Sequence, residues 1–185
     1  MKTKPDDNKP KVLVWMDLEM TGLDPKKDKI IEIACLATDW DLNVIASGPD
    51  LAIHWPKRHF DQMDEWCTEH HGLSGLTQRC LDSKIKLKQA EQETLAWVRA
   101  LVPAGTVPLC GNSIHQDRKF LADQMPELEA YFHYRNIDVS TVKELVKRWY
   151  PKLGSYKKAG KHQALDDIIE SIEELRFYRQ QVFIP

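Results

Sequence analysis

Apolar residues fall first into three extended runs, residues 12–16, 30–38 and 44–54, rich in Val, Ile and Leu. The turn-like segments Gly22-Leu23-Asp24-Pro25 and residues 39–43 separate them, so the pattern predicts three consecutive antiparallel strands. From about Asp61 the apolar period lengthens to that of a helix. The clearest case is residues 87–101, where Leu87, Ala90, Thr94, Trp97, Val98 and Leu101 make a mostly apolar stripe that ends before Pro103 and Gly105. Residues 107–110 predict a short strand, and Gly111-Asn112-Ser113 leads into a helix carrying Asp117, Phe120 and Leu121. A further strand at residues 137–139 precedes a helix in which Val142, Leu145, Val146 and Trp149 keep helical spacing and Thr141 with Glu144 fits a capping box. Pro151 stops it. After a basic loop, residues 152–161, a last long helix is expected to begin near His162, with Leu165, Ile168, Ile169, Ile172 and Leu175 as its core stripe.

No internal repeat interrupts this order, which predicts a single α/β domain over residues 11–185, a mixed sheet of about five strands with helices packed on it. The length of 185 residues, 42% hydrophobic and 29% charged, suits one such domain with a sizeable core. Residues 1–10 are polar, contain two prolines and mix acids with bases, so they read as a flexible tail rather than an apolar signal or an Arg-rich transit segment. No apolar run approaches the roughly 20 residues needed to cross a bilayer, and a cytoplasmic protein with no membrane partner is expected. Cys35, Cys67, Cys80 and Cys110 are widely spaced without a C-x-x-C pair, as buried free thiols in a reducing compartment would be.

A net charge of −2 argues against gripping long nucleic acid through a broad basic surface. A short nucleic-acid substrate remains compatible, because few phosphates need few basic side chains and bound metal ions can supply positive charge locally.

Three segments carry candidate chemistry. In Trp15-Met16-Asp17-Leu18-Glu19-Met20, Asp17 and Glu19 stand two apart at the end of an apolar strand, so both project from one face. Two such charges about 5 Å apart repel by roughly 3 kcal/mol at an effective dielectric of about 20, which asks for a cation, a proton or solvent. In Asn112-Ser113-Ile114-His115-Gln116-Asp117, a strand end and helix start bring Asp117 toward an edge of the sheet. In His162-Gln163-Ala164-Leu165-Asp166-Asp167, an imidazole beside a basic loop precedes two acids at a helix start. Each also has a plainer reading: solvated carboxylates at a strand end, or acids complementing a helix dipole. Helical geometry does not choose between Asp166 and Asp167.

Taken jointly and in order, D-x-E, N-S-x-x-x-D and H-x-x-x-x-D resemble the three motifs of the DEDDh family of 3′-to-5′ exonucleases. The strings WMDLEMTGLDP, GNSIHQDRKFL, NIDVSTVKEL and HQALDD look like the oligoribonuclease group within it. The resemblance implies a ribonuclease H-like fold that gathers Asp17, Glu19, Asp117 and Asp167, chosen over Asp166, around two Mg²⁺ or Mn²⁺ ions, with His162 as general base. Two ions about 3.5–4 Å apart suit phosphodiester hydrolysis, activating water and stabilising the leaving 3′-oxygen. Carried over in the same way, Leu23 would wedge between two bases, and Trp66 and His71 would contact substrate near its reacting end. Ser113, Arg135, Ser140 and Thr141 would close around a 5′-phosphate, and Tyr134 would reach the partner's site in a homodimer. The implied substrates are short single-stranded RNAs, 5′-phosphorylated dinucleotides above all. Two rivals share part of this pattern: an exonuclease of longer RNA or DNA, and a metal-free nucleic-acid-binding module, which would typically have lost some of the carboxylates.

Overall fold

The computed structural model describes residues 11–154, 156 and 164–183. In chain order it contains β1 (Val12–Met20), β2 (Ile30–Asp39), β3 (Val44–Ala52), α1 (Lys57–Phe60), α2 (Glu65–Leu73), α3 (Leu76–Asp82), α4 (Leu87–Leu101), β4 (Leu109–Gly111) and α5 (His115–Gln124). α6 (Pro126–Glu129), β5 (Asn136–Asp138), α7 (Val139–Trp149) and α8 (Ala164–Val182) complete it. The sheet order is β3-β2-β1-β4-β5. β1 to β3 pair antiparallel as their short turns require, whereas β1, β4 and β5 run parallel because helices connect them.

β1 is the centre of the sheet, and its alternation divides the core in two. Val14, Met16 and Leu18 pack with Ala90, Leu95 and Val98 of α4 and Phe120 and Leu121 of α5. Trp15 points the other way, into a cluster with Val139 and Val146 of α7 and Ile168, Ile172 and Tyr178 of α8. Since side chains alternate along a strand, Asp17 and Glu19 inherit the Trp15 face, the one covered by α8. β1 also runs on past Met16 to Met20, so both carboxylates sit on paired strand rather than in a loop; the register shifts only between Glu19 and Met20.

Several expected boundaries and stripes move. α7 begins at Val139 and is capped by Asp138, whose side chain accepts from the Ser140 amide, so Thr141 lies inside the first turn and the expected Thr141/Glu144 box gives way to an Asp cap. Within α7 only Val139 and Val146 are buried, leaving Leu145 partly exposed and Trp149 69% exposed, because α7 lies at the sheet margin and has one packing partner face. On α8, Ile168 and Ile172 share the buried face, while Ile169, one residue and about 100° away, is turned outward. All four cysteines are buried free thiols, and no helix among the described residues is long and apolar enough to cross a membrane.

Candidate active site

Asp17 and Glu19 descend from β1, and Asp167 rises from the first turn of α8, where an acid also complements the helix dipole. One carboxylate oxygen from each of the three lies within 4.8 Å of the other two. Asp167, and not its neighbour Asp166, joins this group. Asp117, in the first turn of α5, lines the same cleft of about 420 Å³, together with Trp66, Asn112, Ser113, Gln116, Glu170 and Ser171. Its Oδ1 accepts the Leu18 amide at 3.0 Å, fastening α5 to the backbone between the two β1 carboxylates.

The electrostatics of this cluster are unfavourable unless a positive charge or protons are supplied. Burial, then the charges of Asp167, Glu32 and Asp117, push the Glu19 carboxyl from an ordinary 4.5 up to about 8. Burial likewise pushes Asp117 up to about 7, with the Leu18 amide opposing and the Asp138 charge adding to the rise. Four convergent carboxylates, two of them held far above their usual range, are a donor set that fits hard divalent cations: only oxygen ligands are offered, and a cation offsets their mutual repulsion.

Glu32 is part of this balance and was not among the residues singled out in the sequence. It stands directly opposite Glu19 across the β1–β2 pair, is 1% exposed, and meets the Arg79 guanidinium at 2.5 Å. Its other oxygen lies 3.5 Å from the Ala164 amide at the start of α8. The pattern I-I-E-I-A in an otherwise apolar strand was the available signal, since an acid in such a run must find a partner once buried. Asn112, Gln116, Glu170 and Ser171 were also unforeseen as lining residues; Glu170 and Ser171 follow Asp167 by three and four positions and so share its helix face. The Asn112 Oδ1 is buried with no donor among the described residues.

His71, on α2, is 3% exposed and its Nε2 contacts the Met20 carbonyl at 2.9 Å. A carbonyl only accepts, so Nε2 carries the proton and Nδ1, 4.0 Å from Glu19 Oε2, presents a lone pair to the site. Burial holds this imidazole below its ordinary range, consistent with the neutral tautomer. Trp66 lies five residues earlier on α2, 56% exposed, stacked on His70 at a centroid distance of 3.9 Å and lining the cleft. Leu23, in the β1–β2 turn, is 78% exposed.

The residues expected around a 5′-phosphate divide. Ser113 lines the carboxylate cleft, while Ser140 and Thr141 line an adjoining cavity of about 400 Å³ with His115, Asp138 and Arg148. Arg135 is not brought to either within one chain: it lines a separate cavity with Val12, Leu13, Trp40 and His133. Its guanidinium lies 5.4 Å from the ring of Tyr134, itself 74% exposed. His162 lies outside the described residues.

The Exonuclease family model RNase_T matches residues 14–175, a span that includes all four acids. The oligoribonuclease of Hydrogenovibrio crunogenus is 60% identical over 174 residues, covering 94% of this chain and 95% of the relative. The human mitochondrial oligoribonuclease is 57% identical over 173 residues, covering 92% of this chain and 73% of the relative. Among solved structures, zinc-bound Escherichia coli exonuclease I with single-stranded DNA superposes with a TM-score of 0.72 at 13% identity, covering 94% of this chain and 41% of that one. The exonuclease I of Methylocaldum szegediense gives 0.67 at 18%, covering 92% and 41%. The present chain therefore spans well under half of those larger proteins, and at such identity the likeness establishes the ribonuclease H-like fold alone. Sequence identity along nearly the whole length carries the closer relationship: the chain belongs to the oligoribonuclease family of exonucleases.

Proposed function

We propose that this protein is a divalent-metal-dependent 3′-to-5′ exoribonuclease that hydrolyses short single-stranded oligoribonucleotides, 5′-phosphorylated dinucleotides in particular, to mononucleotides. The observation that carries the reading is the convergence of Asp17, Glu19 and Asp167, with Asp117 alongside, in one cleft that also presents an exposed indole. Asp17, Glu19, Asp117 and Asp167 would hold two Mg²⁺ or Mn²⁺ ions. When bound, such ions supply the positive charge that acidifies the attacking water and stabilises the departing 3′-oxygen.

The chain's own groups do the rest. His162 takes the water's proton, a contribution worth about 10²–10⁴ in rate for a general base. Trp66 stacks on the terminal base, an interaction indifferent to base identity, and Leu23 wedges against the next. His71 Nδ1 accepts a ribose hydroxyl near the reacting end. Ser113, Ser140 and Thr141 offer hydroxyl donors at the 5′ side, where a closed end would limit the pocket to about two nucleotides. Tyr134 and Arg135, stacked together on an exposed surface, would be delivered to the neighbouring subunit's site in a homodimer. Four buried free thiols suit a cytoplasmic location.

The test is the initial rate of cleavage of a 5′-phosphorylated diribonucleotide, a seven-residue RNA and its DNA analogue, in Mg²⁺ and with a chelator. A chelator-sensitive rate favouring the dinucleotide is expected. Faster cleavage of the heptamer would retain the metal chemistry and overturn the short-substrate assignment, and no cleavage in Mg²⁺ or Mn²⁺ would overturn the nuclease reading itself.

A further inference from the structure

Ser113 and Ser140 come from different strand-to-helix junctions, yet a single atom joins them. Asp138 Oδ1 accepts the Ser113 amide at 2.9 Å, the Ser140 amide at 2.9 Å and the Ser140 hydroxyl at 2.6 Å. Its other oxygen lies 3.4 Å from His115 Nδ1. Ser113 has a left-handed backbone, with φ of 54°, which a residue with a side chain adopts at a cost and keeps only when its surroundings hold it there. The bond from its amide to Asp138 is such a restraint. Asp138 lines the cavity of Ser140 and Thr141, and its bond to the Ser113 amide ties that cavity to the carboxylate cleft, which Ser113 lines.

We propose that Asp138 is a positioning residue for recognition of the substrate's 5′-phosphate: its carboxylate holds Ser113 and Ser140 at the separation from which both reach one phosphate group. A carboxylate beside a phosphate would ordinarily repel it. Here three donors already converge on Oδ1, which neutralises much of that charge locally, while the same bonds hold the Ser140 oxygen where its proton can turn from the carboxylate to an arriving phosphate oxygen. The proposal rests on the exoribonuclease reading given above and adds a residue that need not touch the substrate.

The experiment compares kcat/KM for a diribonucleotide with a 5′-phosphate and the same dinucleotide with a 5′-hydroxyl, in wild type, Asp138→Asn and Asp138→Ser. Asparagine keeps an acceptor oxygen in place without the charge. Serine can still cap α7 through its hydroxyl but is too short to hold Ser113 as well. The expected result is about a tenfold loss of discrimination for the phosphorylated substrate in Asp138→Ser, the scale of one well-placed hydrogen bond, expressed mainly in KM, and recovery of most of it in Asp138→Asn. Thermal unfolding of each variant shows whether the fold persists. Should Asp138→Ser not fold, Asp138→Glu, which keeps the charge but moves the oxygen by one methylene, is expected to show the same loss. Unchanged discrimination in a folded Asp138→Ser or Asp138→Glu variant, or equal loss on both substrates through kcat, overturns the positioning role while leaving the function standing. A wild type that does not discriminate between the two dinucleotides overturns the 5′-phosphate reading, and the positioning role with it.

Discussion

Replacing Glu19 by glutamine should stabilise the protein in the absence of metal, although it removes a proposed ligand. The Glu19 side chain is 18% exposed and its carboxyl is pushed up to about 8, against an ordinary 4.5. An acid whose folded pKa is raised stabilises the fold fully only below its unfolded value; that contribution fades as pH climbs from about 4.5 and is lost by about 8. At about 1.4 kcal/mol per decade, the ionised form in the folded site is disfavoured by up to roughly 5 kcal/mol. Burial is the largest cause and the charges of Asp167, Glu32 and Asp117 add to it, but water reaches the cleft, so one replacement should recover only about 1–3 kcal/mol. For a chain of this length that is a rise in Tm of roughly 3–10 °C. The assay is thermal unfolding by circular dichroism in a chelator at pH 4.5 and pH 8, for wild type and Glu19→Gln, then repeated with Mg²⁺. Glu19→Gln should exceed wild type at pH 8, match it at pH 4.5, and gain less from Mg²⁺ than wild type does. A difference between the proteins that is the same at both pH values, or wild type being the more stable at pH 8 in chelator, would refute the electrostatic account of the site.

Other changes act on the supports of the site. Arg79→Leu strands Glu32 in the sheet without its cation; because Arg79 is itself 41% exposed, a loss of about 2 kcal/mol, read from urea denaturation, is expected rather than the roughly 3–5 of a fully enclosed pair. Gly111→Ala would place a Cβ 2.8 Å from the Met16 carbonyl oxygen and 2.7 Å from Ile114 Cδ1, so β4 must shift against β1; a cost of about 1–3 kcal/mol is expected in the same assay. Trp66→Ala should raise KM for dinucleotides by about tenfold or more with a smaller change in kcat, as loss of a stacking face predicts, and unchanged steady-state constants would remove Trp66 from the substrate site.

Much of this architecture is legible in the linear order of residues. Extended runs rich in Val, Ile and Leu mark β1 to β3, the stripe at residues 87–101 marks α4, and the spacing of Asp17 and Glu19 places them on one face of a strand before any neighbour is known. These features depend on geometry internal to one element, and that geometry is the same wherever the element packs. What lies across from an element is a different matter. That the Asp17–Glu19 face is the one covered by α8 follows from Trp15 packing with Ile168 and Ile172, a contact between residues more than 150 positions apart, and it is this packing that brings in Asp167 and leaves Asp166 out. Glu32 becomes part of the site only through the β1–β2 register, which sets it opposite Glu19. Ile169 and Trp149 satisfied a helical period and still emerged exposed, since a stripe is buried only as widely as the surface it meets. Asp138 shows the same division. Its sequence position suggests no more than a helix cap, whereas the parallel pairing of β4 with β5 sets its carboxylate beside the strained backbone of Ser113, where one oxygen can hold two junctions together. Local spacing thus fixes the elements and the chemical types available to the site, whereas which of those groups meet depends on opposing faces and registers, and these arise only from packing between distant segments.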